Sequence, residues 1–442
     1  MIIQTRTAAI CIAVMIFLTA GTLSGQNVVA TRVQTVAQLL DLARAQQPEL
    51  VKIRRWIHQH PELRWQETNT IAFHKNYMAS VLLAPGYSVE YAELEGGLLA
   101  WLKVNPSYKW IMQRAEMDGL PFDEETKLPF SSVNKGVMHA CGHDGNQASL
   151  DVAFRLIASG AVKVPYNILF VFERSEENPS DQRSGAKSLV QAGILKEITA
   201  AYGLHMYQGG DPGTFYTNAK QPMFANNDQW GIFGRTVGGH VAWPHKGVNS
   251  IDVGVDVLVA MRDACATLVG PTEPCAIDPA TFLAGIHNSA NVRPGPLEIW
   301  VSARNFLEPA RRKKLADDIG LRVNGILSSR RDSDPQAVLK YQFVEGYPYL
   351  VNDPKIVAKL TPILQQAGLK VDEGMQELGS ESFAYYADGY GDKKGVPIMY
   401  VMLGAPVTSP VERSGGHHSA NFDFDEAQLS NALCWWLCTA TH

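Results

Sequence analysis

Four alternating or continuous apolar runs, at residues 98–102, 110–115, 168–172 and 397–403, limit the fold more than any other feature. Runs of that length bounded by turn residues read as sheet strands, and strands buried on both faces need helices packed on each side. Helices are expected after Asp144 and after Ser184, and Leu50, Ile53 and Ile57 mark one face of another. The pattern is an α/β layer, but its last strand follows a segment with a rhythm of its own. Between about residues 226 and 336 the order is a strand, a helix on Ile251, Val255, Leu258 and Met261, a strand over 297–306, and a helix on Leu315, Ile319, Val323 and Ile326. Two strand-helix units of that kind predict a small sandwich inserted into a discontinuous larger domain of residues 30–225 and 337–442. No internal repeat or low-complexity tract is evident.

At 442 residues, the chain is too long for one compact core. Its 46% hydrophobic and 19% charged residues are those of an ordinary globular protein, and a net charge of −5 without a basic run argues against nucleic acid or an anionic membrane as partner. Arg6 precedes an apolar stretch from about Ala8 to Ala20, followed by small and polar residues through Gln26, which is signal-peptide anatomy. The stretch is shorter than the roughly 18 to 20 residues that span a bilayer. The expectation is a leader at 1–25, cleavage near Ser24 to Gln26, and an exported, periplasmic or secreted protein with no stable membrane insertion after cleavage, a retained anchor being the alternative. Of six cysteines, Cys434 and Cys438 sit one helical turn apart as packing residues, and Cys265 and Cys275 can pair if the chain is exported.

Chemistry concentrates at segment ends. Cys141-Gly142-His143-Asp144-Gly145 sets a thiol and an imidazole two residues apart in a glycine-flanked turn. Thiolate and imidazole suit borderline ions such as Zn2+, Mn2+, Co2+ or Ni2+, although a buried thiol beside a core histidine has the same local sequence. The strand at 166–172 delivers Glu176 and Glu177 just past its end, a costly pair unless a cation or proton compensates them. One such acid can ligate a metal while the other takes a proton from water. A short apolar run ends in His205, and a glycine-loosened turn carries His417 and His418.

These segments and others resemble, in order, the M20 family of metallopeptidases and amidohydrolases, in the branch of hippurate, N-acyl-amino-acid and indole-acetyl-amino-acid hydrolases. The resemblance runs from about residue 50 to the end. Its motifs include Trp56-Ile57-His58-Gln59-His60-Pro61-Glu62-Leu63, Arg114-Ala115-Glu116-Met117-Asp118-Gly119, the Cys141 turn, Glu176-Glu177, Gly203-Leu204-His205, Gly238-Gly239-His240, Asn291-Val292, Gly379-Ser380-Glu381-Ser382 and His418-Ser419. It implies a metallopeptidase-type catalytic domain with a mixed central sheet, and an inserted ferredoxin-like α+β lid at 226–336 through which the protein is a homodimer. It implies that Cys141, His143, Glu177, His205 and His418 bind one or two divalent transition metal ions (Zn2+, Mn2+, Co2+ or Ni2+), with His417 the alternative to His418. Glu176 would be the general base, and Asp118 would orient a metal-bound histidine.

From the lid, His240 would reach the partner's site and donate to the carbonyl oxyanion, Arg304 would clamp a substrate carboxylate, and Asn291 would add a polar contact. His245 matches a motif position for which no physical role is found. Two positions depart from the branch: Asn146 stands where a second histidine is usual, and Glu116 where aspartate is usual. They bear on substrate choice and metal preference. The function implied is hydrolysis of the amide bond of a small-molecule N-acyl-amino acid or short peptide. The rivals are a hydrolase using Cys141 as nucleophile with His143 as its base, and a non-catalytic exported binding protein on the same fold.

Overall fold

The computed structural model describes residues 35–177, 183–270 and 272–442, so the leader expected at 1–25 lies outside the described residues. Helices α1 (Val36–Ala45), α2 (Gln47–Gln59) and α3 (Thr68–Ala79) precede β1 (Ser88–Leu94), β2 (Gly97–Lys103), β3 (Trp110–Glu116), α4 (His143–Ala158) and β4 (Asn167–Glu173). Next come α5 (Gly185–Gln191), β5 (Ile198–Tyr207), β6 (Thr214–Tyr216), β7 (Asn226–Arg235), the two-residue β8 (Gly239–His240), α6 (Ser250–Leu268) and β9 (Cys275–Ala284). The two-residue β10 (Val292–Arg293), β11 (Pro296–Asn305), α7 (Pro309–Ser333), β12 (Val338–Val344), α8 (Pro354–Gln366) and β13 (Lys370–Asp372) follow. The chain continues through α9 (Ala384–Asp388), the small hairpin of β14 (Gly389–Tyr390) and β15 (Lys393–Lys394), β16 (Ile398–Gly404) and α10 (Leu429–Thr441).

The four apolar runs become β2, β3, β4 and β16 in an eight-stranded mixed sheet of order β1-β2-β4-β3-β5-β16-β6-β13. Its middle is parallel, with β4, β3, β5 and β16 side by side in one direction. Strand β4 shows why its sequence is unbroken. Ile168, Phe170 and Phe172 pack with Phe154 of α4 and Trp436 of α10 on one face, while Leu169 and Val171 meet Leu189 and Val190 of α5 on the other. Burial on both faces removes the polar alternation that a half-exposed strand needs.

The middle of the chain makes a second, four-stranded antiparallel sheet of order β12-β7-β11-β9, with α6 and α7 on one side around Ile299, Val257 and Ile319. This βαββαβ arrangement is the ferredoxin-like plan. Two details differ from the sequence expectation. Strands β9 and β12 were not foreseen, because both are sheet edges that expose many of their residues, and β9 also carries Pro279 at a register shift. With β12 included, the sheet extends to Val344, past residue 336. In α6, moreover, the core face is Val253, Val257, Met261 and Ala264, whereas Ile251 and Val255 are exposed. The helix is apolar on more than one side, so periodicity alone could not choose the buried stripe.

Cys265, near the end of α6, is joined to Cys275 at the start of β9 by a disulfide, and Cys434 and Cys438 are buried in α10 as packing residues with their sulfurs 3.8 Å apart. Among the described residues no helix is long and apolar enough to cross a membrane.

Candidate metal centre

Ligands in open α/β sheets gather beyond the carboxyl ends of parallel strands, and the candidate residues converge there. Asp118 lies just past β3, Glu176 and Glu177 just past β4, His205 near the end of β5, and the segment after β16 brings His417 and His418. Cys141 and His143 flank the start of α4. Gly142 between them has φ +99°, and a Cβ there would sit 3.1 Å from both Cβ and the carbonyl oxygen of Met206. Only glycine allows the thiol and imidazole to pack this closely against β5.

Three groups of donors have ligand atoms all within 4.8 Å of one another: Cys141, His143 and His205; Cys141, Glu177 and His418; and His143, Glu176 and Glu177. Together they contain every residue expected to ligate. Cys141 Sγ stands 3.5 Å from His205 Nε2, and His205 Nδ1 lies 2.8 Å from the Met206 carbonyl oxygen, which as acceptor leaves Nε2 as the free lone pair facing the centre. His143 is fixed the same way. Its Nδ1 is 2.9 Å from the main-chain oxygen of Asp118, and its buried Nε2 has no hydrogen-bond partner. A buried orphan nitrogen aimed at a thiol and carboxylates is what a borderline metal ion would satisfy, so the residues fit the group.

Asp118 divides its work. The carbonyl oxygen holds His143, while carboxylate Oδ2 accepts the Glu177 N–H at 2.9 Å and Oδ1 stays 3.4 Å from His143 Nδ1. Asp144, next to His143, takes no part in the centre. Its Oδ2 accepts from Arg54 Nε at 2.7 Å and pairs with His58 Nδ1 at 2.9 Å, which anchors the first turn of α4 to α2.

The two neighbouring acids have opposite surroundings. Burial raises the Glu177 carboxyl, but the His418 imidazole 2.9 Å away and the charge of His143 outweigh it and hold the pKa at about 2. Burial also raises Glu176, and there the nearby carboxylates of Glu381 and Glu177 add to it, so its pKa is well above the ordinary carboxylate range. The preceding Ser175 has φ +52° and His418 φ +62°, both in the left-handed region that costs L-residues roughly 1 to 2 kcal/mol. Strain at the residue before one acid and at the imidazole on the other marks a geometry imposed by the surroundings.

Of the two terminal histidines, His418 belongs to a donor group. His417 turns Nδ1 to within 3.5 Å of Cys141 Sγ, and its Nε2 accepts the Gln208 N–H at 3.1 Å.

The two departures from the branch pattern are partners. Asn146 Nδ2 donates to Glu116 Oε2 at 3.0 Å, and its Oδ1 accepts the Met206 N–H at 2.9 Å. Both residues are fully buried and neither lines the cavity beside the centre.

That cavity, of about 580 Å³, is lined by Cys141, Glu176, Glu177, His205 and His418 on one side, by Arg304 of β11, and by Phe224, Tyr347, Met375 and Met402. Arg304 reaches it from the inserted sheet and donates through Nη1 to Ser380 Oγ at 2.6 Å. His240 and Asn291 lie elsewhere within the chain. Both are exposed, His240 pairs with Val292 between β8 and β10, its Nδ1 accepts the Ala242 N–H at 3.1 Å, and neither lines the cavity.

Sequence reading assigned no role to Glu381 and Ser382. The Ser382 N–H donates to Glu176 Oε1 at 3.1 Å, and Glu381 lies 3.1 Å from Arg114 and accepts from the Tyr400 hydroxyl at 2.5 Å. The only available signal was their place in a family motif.

Comparison with known proteins gives a match to the model of peptidase family M20/M25/M40 over residues 112–442. An N-acyl-L-amino acid amidohydrolase of Geobacillus stearothermophilus is 32% identical over 267 residues, 60% of this chain and 69% of that protein. Thermostable carboxypeptidase 1 of Saccharolobus solfataricus is 29% identical over 385 residues, 86% of this chain and 91% of that one. Among solved structures, the Bacillus subtilis YXEP protein, described as a dinuclear metal binding peptidase from the M20 family, superposes with a TM-score of 0.69 at 24% identity, covering 90% of this chain and 98% of that one.

Proposed function

Because the chain belongs to peptidase family M20/M25/M40 and is a hydrolase of amide or peptide bonds, we propose that it cleaves N-acyl-amino acids or short peptides in the cavity beside Glu176. The observation that carries this reading is the convergence on one cavity of the donor groups, a buried carboxyl and the Arg304 guanidinium.

Cys141, His143, Glu177, His205 and His418 would hold one or two divalent metal ions. When bound, such an ion supplies Lewis acidity, polarising the scissile carbonyl and making a water easier to deprotonate at neutral pH. Glu176 takes the proton from that water and returns it to the leaving amine, a task suited to a carboxyl whose proton affinity is raised. Arg304 binds the substrate carboxylate, replacing or sharing its bond to Ser380. The apolar wall of Phe224, Met375 and Met402 excludes water from the remainder.

A Cys141 nucleophile is less well supported, because burial and then the Glu177 charge push the thiol pKa up, opposite to what a thiolate nucleophile needs. The binding-protein reading loses its motive as well, since Asn146 faces Glu116 rather than the donors.

Purified protein is expected to hold about one or two equivalents of divalent transition metal, with clear loss in Cys141→Ser and His205→Ala. Elemental analysis checks this, and unchanged content in both variants would refute the ligand assignment.

The same reading includes a homodimer through the inserted sheet, with His240 acting in the partner's site. Ile251, Val255 and Val259 form an uncovered apolar stripe on α6, with Leu283 exposed on the edge strand β9. Glu176→Gln and His240→Ala homodimers should each be nearly inactive, whereas co-refolded heterodimers regain one complete site of two. Heterodimers detected by native mass spectrometry without recovery of activity would exclude the trans role.

A further inference from the structure

Loops are ordinarily the most mobile part of a domain, yet the one that carries His240 is closed around a buried cation. Arg293 pairs with Gly239 across the β8–β10 ribbon, and its buried guanidinium turns back into the same loop. Nη1 donates to the carbonyls of Pro244 at 3.0 Å and Gly247 at 2.8 Å, and Nη2 to those of Gly238 and Trp243, both at 3.2 Å. One side chain thus ties the backbone before His240 to three points after it. All four partners are main-chain carbonyls rather than carboxylates, so the loop's own dipoles hold the charge and the planar fork holds the loop. Gly238 at φ +70° and Gly239 at φ +129° permit the approach. A Cβ on Gly238 would lie 2.7 Å from the Arg293 carbonyl oxygen, and one on Gly239 3.3 Å from Nη2.

An anion completes the closure at the base. Asp334, buried where α7 ends, accepts through Oδ2 the N–H groups of Val237 at 2.9 Å and Val248 at 3.4 Å, the residues at which the chain enters and leaves the loop. Within this frame His240 is exposed, and its ring is set in one way. Nδ1 accepts the Ala242 N–H at 3.1 Å, with the Trp243 ring centroid 5.1 Å away. In the neutral imidazole the proton is then on Nε2, which leaves Nε2–H as the ring's available donor.

Resting on the reading that His240 serves the partner's site, we infer that Arg293 is a positioning residue for that site. It fixes the loop so that His240 offers Nε2–H to the oxyanion forming in the other subunit, and it acts through His240 alone. A buried cation spent on four carbonyls of one loop has this return: the donor is aimed before the subunits meet a substrate.

The test uses metal-loaded full-length protein and the best substrate from a panel of N-acyl-amino acids and dipeptides. Arg293→Met should lower kcat by about tenfold to a hundredfold with KM within about twofold, the mark of a misplaced group that acts in the transition state. In the His240→Ala background the same substitution should cost no more than about threefold further, whereas losses from independent causes multiply. Co-refolded with Glu176→Gln, Arg293→Met should regain activity, because the subunit that keeps Glu176 then receives His240 from an intact loop; co-refolded with His240→Ala it should not. Hydrogen–deuterium exchange without substrate should be about tenfold or more faster across 238–247, with β7 and β11 unchanged. Arg293→Lys keeps the buried charge but cannot fork over four carbonyls, so it should fall between wild type and Arg293→Met, and it replaces that variant if Arg293→Met does not fold. Multiplying losses in the double variant, no recovery with Glu176→Gln, or unchanged exchange in the loop overturns the inference. Full activity of His240→Ala overturns it through the reading beneath it, and faster loop exchange in Arg293→Met would then show a loop held as described that serves no catalytic donor. If wild type hydrolyses nothing in the panel, the amidohydrolase reading fails and the inference with it.

Discussion

Replacing Glu176 by Gln is expected to lower kcat by about 10²-fold or more while leaving the metal content unchanged, whereas Glu177→Gln should lose metal and activity together. The first magnitude is the usual scale for removing a positioned general base. The separation rests on the opposite surroundings of the two acids. Glu176 Oε1 is held by a backbone N–H within a cluster of carboxylates, so an amide can occupy the same place but cannot take a proton. Glu177 is tied to His418 and grouped with Cys141, so its substitution removes charge from the donor set itself. Paired elemental analysis and steady-state kinetics on both variants check this, and the reverse pattern would mean that the two roles are exchanged.

Arg114→Met is expected to reduce the free energy of unfolding by about 3 to 5 kcal/mol, the cost of breaking a buried ion pair by deleting one partner. The guanidinium is fully buried and donates through Nε to Glu173 at 2.6 Å and through Nη2 to Ser382 Oγ at 2.7 Å; it also contacts Glu116, and Glu381 lies 3.1 Å away. Three carboxylates depend on one cation. Without it they must take up protons or repel one another, and Glu173 also accepts the Ala186 N–H that starts α5. Because Ser382 is both a partner of Arg114 and the donor to Glu176, kcat should fall as well. Chemical denaturation measures the first effect, and a loss below about 1 kcal/mol would show that the network is not needed for folding.

The fold was legible where burial was two-sided. Alternating or continuous apolar runs announced β2, β3, β4 and β16, while β9 and β12 stayed hidden because an edge strand exposed on one side has no single pattern. The candidate donors were legible through residue type, because thiol, imidazole and carboxylate at strand ends have few other reasons to recur together, and the fold does bring them within 4.8 Å of one another in three groups. What local sequence could not supply were contacts between distant segments. Ser382 meets Glu176 across 206 positions of chain, and Asn146 reaches Glu116 across 30, a pairing that turns two apparent departures into one hydrogen bond. Arg304 could be named as a cation, but its seat on Ser380, 76 residues away, needed the fold.

Strand β16 occupies an interior slot of the main sheet, hydrogen-bonded to β5 on one side and β6 on the other, although it follows both by almost two hundred residues. During synthesis, β5 and β6 therefore emerge with facing edges open and must wait through the whole inserted sheet before the strand that joins them exists. Pairings that close such long loops form slowly and leave edges open to association with other chains in the interval. The inserted sheet, built mainly from its own contacts, can form during that wait. The proposed metal centre cannot, because His418 of its donor groups arrives only behind β16. Its assembly reports completion of the chain's longest-range pairing, so the rate of metal uptake during refolding measures closure of the central sheet.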